Sequence, residues 1–183
     1  MNDLIALNKP YGVICQFSEH EKHQTLKAYV DQTGFYPAGR LDTDSEGLLL
    51  LTNNGRLQAQ IAEPKHKVEK TYWAQLEGVP TEAGLAMLAQ GVDLGDFVTQ
   101  PAKVRRLEQP DLWQRDPPIR VRQTVPDFWL ELKISEGKNR QVRRMCAKAG
   151  FPCLRLIRVS IGKINLFDLA LTPGQWQYCA QRP

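Results

Sequence analysis

The sequence predicts an α+β fold: a mixed, mostly antiparallel central sheet flanked by helices. Three observations carry that expectation. Strand-like segments number eight to ten against three or four helices. They do not alternate as regular βαβ units, which argues against a doubly wound parallel sheet. The run GLLLLT (47–52) is unbroken in its apolar character, so it reads as a strand covered on both faces.

Taken in order, DLIAL (3–7), the turn NKPYG and VICQF (13–17) predict a hairpin-like pair. TLKAYVDQTG (25–34) reads as a short helix, with Thr25 as cap and Gly34 past its end. After the leucine strand, Asn53-Asn54-Gly55 makes a turn, and RLQAQIAEP reads as a helix stopped before Pro64. VEKTYWAQLEG (68–78) alternates and is rich in aromatic and β-branched types, hence a strand. TEAGLAMLAQG (81–91) is a helix between Thr81 and Gly91. Segments 102–108, 119–125 and 127–135 read as three more strands, the last two separated by Pro126-Asp127.

GKNRQVRRMCAKAGFP then changes to a period of 3.6. Val142, Met145, Cys146 and Ala149 share one face, and Arg140, Arg143, Arg144 and Lys148 spread over the other. Gly150, with Pro152 two residues on, stops the helix. Segments 153–162 and 165–171 are expected strands, and the tail from Pro173 is expected to be short and helical. No linker or repeat divides the chain, and QPDLWQRDPP (109–118) reads as a mobile loop.

Composition narrows the function classes. Hydrophobic residues make up 42% and charged residues 24%, as in ordinary globular proteins. No apolar run reaches the roughly 20 residues of a membrane span, and MNDLIALNKP lacks a secretory pattern. The expectation is a cytoplasmic protein with no membrane partner. Cys15, Cys146, Cys153 and Cys179 form no CxxC pair and stand in no ligand register with His20, His23 or His66, so no metal site is expected. The absence of a long exposed apolar face predicts a monomer.

Net charge is +4, unevenly spread. From Gly137 to Lys163 there are eight Lys or Arg and no acid, and the rest of the chain holds 16 basic against 20 acidic residues. A basic island on a mildly acidic protein points to a polyanion partner.

Three stretches hold candidate chemistry. In GRLDTDSEGLLLLTNNG (39–55), a loop feeds a rigid apolar strand, which suits the holding of a functional side chain. Leu41 should anchor the loop in the core and leave Asp42 at its edge, whereas Asp44, Ser45 and Glu46 are expected to solvate it. In KTYW (70–73), Lys70 and Tyr72 share one strand face, where a cation and a phenol could frame a flat polar ligand or simply snorkel beside a core. In ISEGKNRQVRRM (134–145), a glycine turn opens the basic helix, a setting that attracts phosphate. No GxxxxGK[ST] is present, which disfavours a nucleoside triphosphatase.

Together GRLD, KTYWAQLEG and EGKNRQVRRM, in this order, resemble the RsuA-like branch of the pseudouridine synthases over nearly the whole chain. The resemblance implies the pseudouridine synthase catalytic fold and a cofactor-free isomerase that turns a uridine of folded RNA into its C-glycoside isomer. The partner it implies is ribosomal RNA of the large subunit (23S). It assigns Asp42 as the essential acid, Tyr72 as the aromatic stacking on the target base, and Lys70 as support for the pocket. Arg143 is assigned as partner of the aspartate, and Arg40 as a contact to RNA. Lys138, Arg140, Arg144 and Lys148 are the expected phosphate contacts.

Such a reaction needs the nucleotide flipped out of its stack, at a cost of a few kcal/mol, and a pocket that excludes water. In a dry pocket a nearby guanidinium is what keeps a carboxylate ionised. The carboxylate could attack C1′, add to the ring or remove the 2′ proton; the residues leave these open. RsuA-like members commonly carry an N-terminal S4-type RNA-binding domain. This chain starts almost at the first catalytic strand, so residues 1–183 are expected to be one catalytic domain without it. Two rivals remain: an RNA-binding module without catalysis, held by phosphate contacts alone, and a glycoside hydrolase, for which Asp42 and Glu46 make a poor carboxylate pair.

Overall fold

A computed structural model describes residues 2–120 and 122–183. The chain forms two compact units, one of residues 1–68 and 157–183 and the other of residues 69–156. Among the described residues there are nine strands and three α-helices, which gives the α+β character expected.

The first unit is built on β1 (Leu4–Lys9) and β3 (Glu46–Thr52), which pair antiparallel from Leu4↔Thr52 to Lys9↔Gly47. All four leucines of β3 are fully buried, as are Leu4, Ile5, Ala6 and Leu7. The double-sided coverage read from GLLLLT is therefore real. The short β2 (Tyr36–Pro37) pairs with the end of β3, at Leu51 and Thr52. The start of β3, Glu46 and Gly47, pairs parallel with Ile157 and Arg158 of β7 (Cys153–Ile161). Gly47 has a φ of +103°, and a Cβ there would collide with the Arg158 carbonyl oxygen, so only glycine lets the strands meet. The helix α1 (Gly55–Ala62) starts at Asn54, whose side chain accepts from the Arg56 and Leu57 amides, and it buries Leu57 and Ile61.

The second unit is an antiparallel sheet in the order β5 (Lys103–Leu107), β6 (Asp127–Ile134), β4 (Lys70–Glu77). Its helices are α2 (Glu82–Gln90), capped by the Thr81 side chain on the Gly84 amide, and α3 (Gln141–Lys148). In α3, Val142, Met145 and Cys146 are buried, Lys148 is exposed and Arg143 and Arg144 are half-buried, with exposed Arg140 just before the helix, so the apolar face falls where the 3.6 period predicts. Gly150, at φ +91°, follows the helix as its stop. Phe151 then packs edge-on against Phe128 at 5.1 Å.

Five expected elements differ. VICQF (13–17) is not a strand: β1 has β3 on one side and β9 (Trp176–Tyr178) on the other, so no edge remains for a hairpin partner. The stretch keeps one bridge, Ile14↔Thr25. TLKAYVDQTG forms only a 3-10 turn at Leu26–Ala28, because Thr25 makes no side-chain cap. No strand forms at 119–120 or 122–125, a segment between Pro118 and Pro126; Val121 lies outside the described residues. In NLFDLAL only Asn165 belongs to a strand, β8 (Ile164–Asn165), because the Asn165 side chain accepts from the Phe167 amide and turns the chain. The tail supplies β9 rather than a helix, since it completes the open edge of β1.

Candidate active site

The loop that carries Asp42 is built within the first unit. It leaves β2 by way of Ala38 and Gly39, the latter at φ +76°, and enters β3 at Glu46. Leu41 is buried and Asp42 half-buried, so the side chain after the anchor does stand at the protein surface. Ser45 and Glu46 are 1% and 2% exposed, which overturns the expectation that they solvate the loop; Asp44 is half-buried. Arg40 is exposed.

The backbone of this loop is bonded almost residue by residue. The Cys15 thiol donates to the Leu41 carbonyl at 3.0 Å and accepts from the Leu41 amide at 3.4 Å. The Asp42 carbonyl accepts from the Ser45 amide at 3.0 Å, and the Thr43 carbonyl from the Gly12 amide at 2.8 Å. Lys9 is wholly buried, and its Nζ donates to the carbonyls of Pro10 and Val13 at 2.8 Å and of Thr43 at 3.5 Å. Burial pulls the Lys9 ammonium down to about 8, opposed by Cys15, Glu46 and Asp44 and reinforced by Arg158. Arg158, 2% exposed, donates from Nε to the Leu48 carbonyl at 2.8 Å and from Nη1 to the Arg40 carbonyl at 3.2 Å.

The second unit carries the other candidate residues. Lys70 and Tyr72 alternate inward on β4, 7% and 8% exposed, followed by buried Ala74 and Leu76. On the opposite face Trp73 donates from Nε1 to Glu131 at 3.0 Å. The Lys70 ammonium lies beside Gly137, within 3.9 Å of where a Cβ would stand. That brings Lys70 to the glycine turn that opens the basic helix. Arg143, half-buried on α3, donates from Nη1 to the Cys153 carbonyl at 3.4 Å. Cys146 on the same helix is buried, and desolvation holds its thiol well above the usual range.

The basic island is not one solvated face. Arg155 and Arg158 are buried, and Arg155 donates to the Trp113 carbonyl at 3.0 Å with its guanidinium 5.7 Å from the Trp113 ring. Arg144 donates to both carboxylate oxygens of Asp96, at 2.5 and 3.2 Å, and to the Leu94 carbonyl. Lys138, Arg140 and Lys148 are exposed, Lys138 with its ammonium 4.1 Å above the Phe97 ring. Among the described residues no group of three or more His, Cys, Asp or Glu could hold a metal ion.

Nothing in the sequence singles out Lys9, Cys15 or Arg158 as site residues. Their signal is slight: Lys9 sits in NKP beside a turn, and Arg158 alternates within a strand like any solvated residue.

A family model described as RNA pseudouridylate synthase matches residues 3–148, and the chain belongs to that family of isomerases. Its relatives point further. The chain is 55% identical over 177 residues to a Xanthomonas campestris pv. campestris protein named ribosomal large subunit pseudouridine synthase E, covering 95% of this chain and 94% of that one. A Vibrio vulnificus protein of the same name is 51% identical over 174 residues, covering 95% and 74%. A solved structure, described as a crystal structure of pseudouridylate synthase, superposes with a TM-score of 0.81 at 32% identity, over 97% of this chain and 70% of that one. The fold is therefore the pseudouridine synthase fold.

Proposed function

We propose that this enzyme converts one uridine of large-subunit (23S) ribosomal RNA to pseudouridine in the cytoplasm, without a cofactor, with Asp42 starting glycosidic bond cleavage. The observation that carries the reading is the fixing of the GRLD loop. Leu41, Asp42 and Thr43 each have a bonded backbone, while the Asp42 side chain stays half-exposed. A carboxylate held that firmly at a surface suits chemistry that tolerates little misplacement. The large-subunit substrate is taken from the names of the two relatives above.

In this reading the target nucleotide leaves its stack, and Tyr72 receives the base. Aromatic stacking returns about 1–3 kcal/mol per base. Lys70 supports the pocket, Arg143 pairs with Asp42, and Arg40 holds the RNA from which the base has left. Lys138, Arg140, Arg144 and Lys148 contact phosphates. The site of modification is chosen by those contacts and by the loops at 18–24 and 109–118.

Asp42 removes the 2′ proton of the flipped nucleotide. The C2′–H electron pair forms a C1′–C2′ double bond, and uracil leaves with the C1′–N1 pair. The uracil turns, its C5 bonds to C1′, and C2′ takes the proton back from Asp42. The C5 proton then passes to solvent and N1 takes one from solvent, which restores the aromatic ring, and Asp42 ends as it began.

The test is tritium release from ribosomal RNA labelled at C5 of uridine. Wild-type protein should release tritium, and Asp42→Asn should release none while binding RNA within about threefold of wild type; a loss of about 10²–10⁴ in rate is usual for a removed acid–base group. Release by Asp42→Asn would refute the assignment. Binding without release by wild type would favour the non-catalytic module, and free uracil would favour a hydrolase.

A further inference from the structure

We infer that Arg158 is a positioning residue for this reaction, a buried clamp that sets where the Asp42 carboxylate stands. The inference rests on the reading of Asp42 just given.

The edge of β3 is shared among several partners. It pairs with β7 at Glu46 and Gly47 and with β2 at Leu51 and Thr52. Between the two pairings the chain of residues 38–41 crosses, and the Ala38 amide takes the Leu50 carbonyl at 2.8 Å. The Leu48 carbonyl, where β3 has parted from β7, is taken instead by Arg158 Nε. Nη1 of the same guanidinium takes the Arg40 carbonyl. One planar group thus joins the residue two before Asp42 to the residue six after it, and closes the loop at both ends. A guanidinium can do this because its donors form a rigid fork.

The opposite side of the loop is held by Lys9 at the Thr43 carbonyl and by Cys15 at Leu41. Arg158 differs from them in one respect: its Nη2 is buried with no hydrogen-bond partner among the described residues. An empty buried donor is costly, and a buried charge carries a desolvation cost that its hydrogen bonds must offset. Stability alone is a weak reason for an arginine here. Placement of the loop is a stronger one, because both bonds it does make fall on the two ends of the segment bearing Asp42. Arg158 does not act on the substrate; it acts through the backbone of Arg40 and Leu48.

The experiment compares wild type, Arg158→Lys and Arg158→Met in the full chain, by tritium release from labelled ribosomal RNA and by hydrogen exchange. For Arg158→Met the expected result is a fall in kcat of about 30- to 300-fold with KM within about threefold, the pattern of a reacting group moved by roughly 1 Å. Arg158→Lys, which keeps one of the two bonds, should recover about a third to two thirds of the lost activity on a logarithmic scale. Exchange should quicken at the Ser45 and Gly12 amides, which bond the Asp42 and Thr43 carbonyls, and stay unchanged in β1. Wild-type kcat in Arg158→Met, or a loss confined to KM, would overturn the inference. Should Arg158→Met fail to fold, Arg158→Lys decides: unchanged exchange at Ser45 and Gly12 together with unchanged kcat would refute the clamp. Wild-type protein that released no tritium would instead refute the reading of function, and exchange would still report on the clamp.

Discussion

Two sets of cations in this molecule have opposite surroundings. In the first unit Lys9 and Arg158 are buried and donate to backbone carbonyls, Lys9 to those of Pro10, Val13 and Thr43 and Arg158 to those of Arg40 and Leu48. In the second, Lys138, Arg140 and Lys148 stand exposed at the start of α3 and along it. A sequence count of charge treats the sets alike, and Arg158 even lies within the acid-free run 137–163. Exposure separates them. The buried cations hold the backbone around Asp42, and the exposed ones stand at the surface.

Substitutions in each set test that division, beginning with the exposed one. Replacing Lys138, Arg140 and Lys148 together by Gln should weaken RNA binding by about 10- to 100-fold at moderate salt. The slope of log K against log salt should fall by roughly 2 to 3, about 0.7 to 0.9 for each phosphate no longer neutralised. The rate at saturating RNA should change little. A binding titration over several salt concentrations checks this, and an unchanged slope would remove those residues from the interface.

A smaller effect concerns pH. The Lys9 ammonium is depressed to about 8 in the fold, against its ordinary 10.5 in the unfolded chain. Between these values the unfolded chain binds more protons, so stability rises with pH there. The cost of the buried charge is full below pH 8 and relieved as pH climbs toward 10.5. Wild type should therefore gain roughly 2 to 3 kcal/mol relative to Lys9→Met between pH 7 and pH 10. Urea unfolding of both proteins across that range measures it, and parallel curves would show that Lys9 titrates normally in the fold.

Legibility in the sequence follows the same division. GLLLLT announces a strand covered on both faces because four adjacent leucines leave no polar side. The face of α3 is readable from Val142, Met145 and Cys146, since a helix repeats its pattern locally. VICQF and NLFDLAL have strand composition yet form no strand of that length, because strands need a free partner edge, which is a property of distant chain. The tail residues Trp176–Tyr178 mislead for the converse reason: β1 has an edge to offer.

Among the candidate residues, Asp42, Tyr72 and Arg143 stand out by motif. The residues that hold Asp42's loop do not. A lysine and an arginine are almost never fully buried unless paired, so Lys9 and Arg158 are where a local reading goes astray. Glu46 fails in the same way: as an acid beside a loop it looks solvated, yet it begins β3 at 2% exposure.

Modification of the ribosomal RNA itself gives the most direct test. Pseudouridines should be mapped in large-subunit RNA from cells lacking this protein and from the same cells carrying wild type or Asp42→Asn. One uridine should remain unmodified without the protein, be restored by wild type, and stay unmodified with Asp42→Asn. A complete set of large-subunit pseudouridines in cells lacking the protein, or restoration by Asp42→Asn, would contradict the assignment.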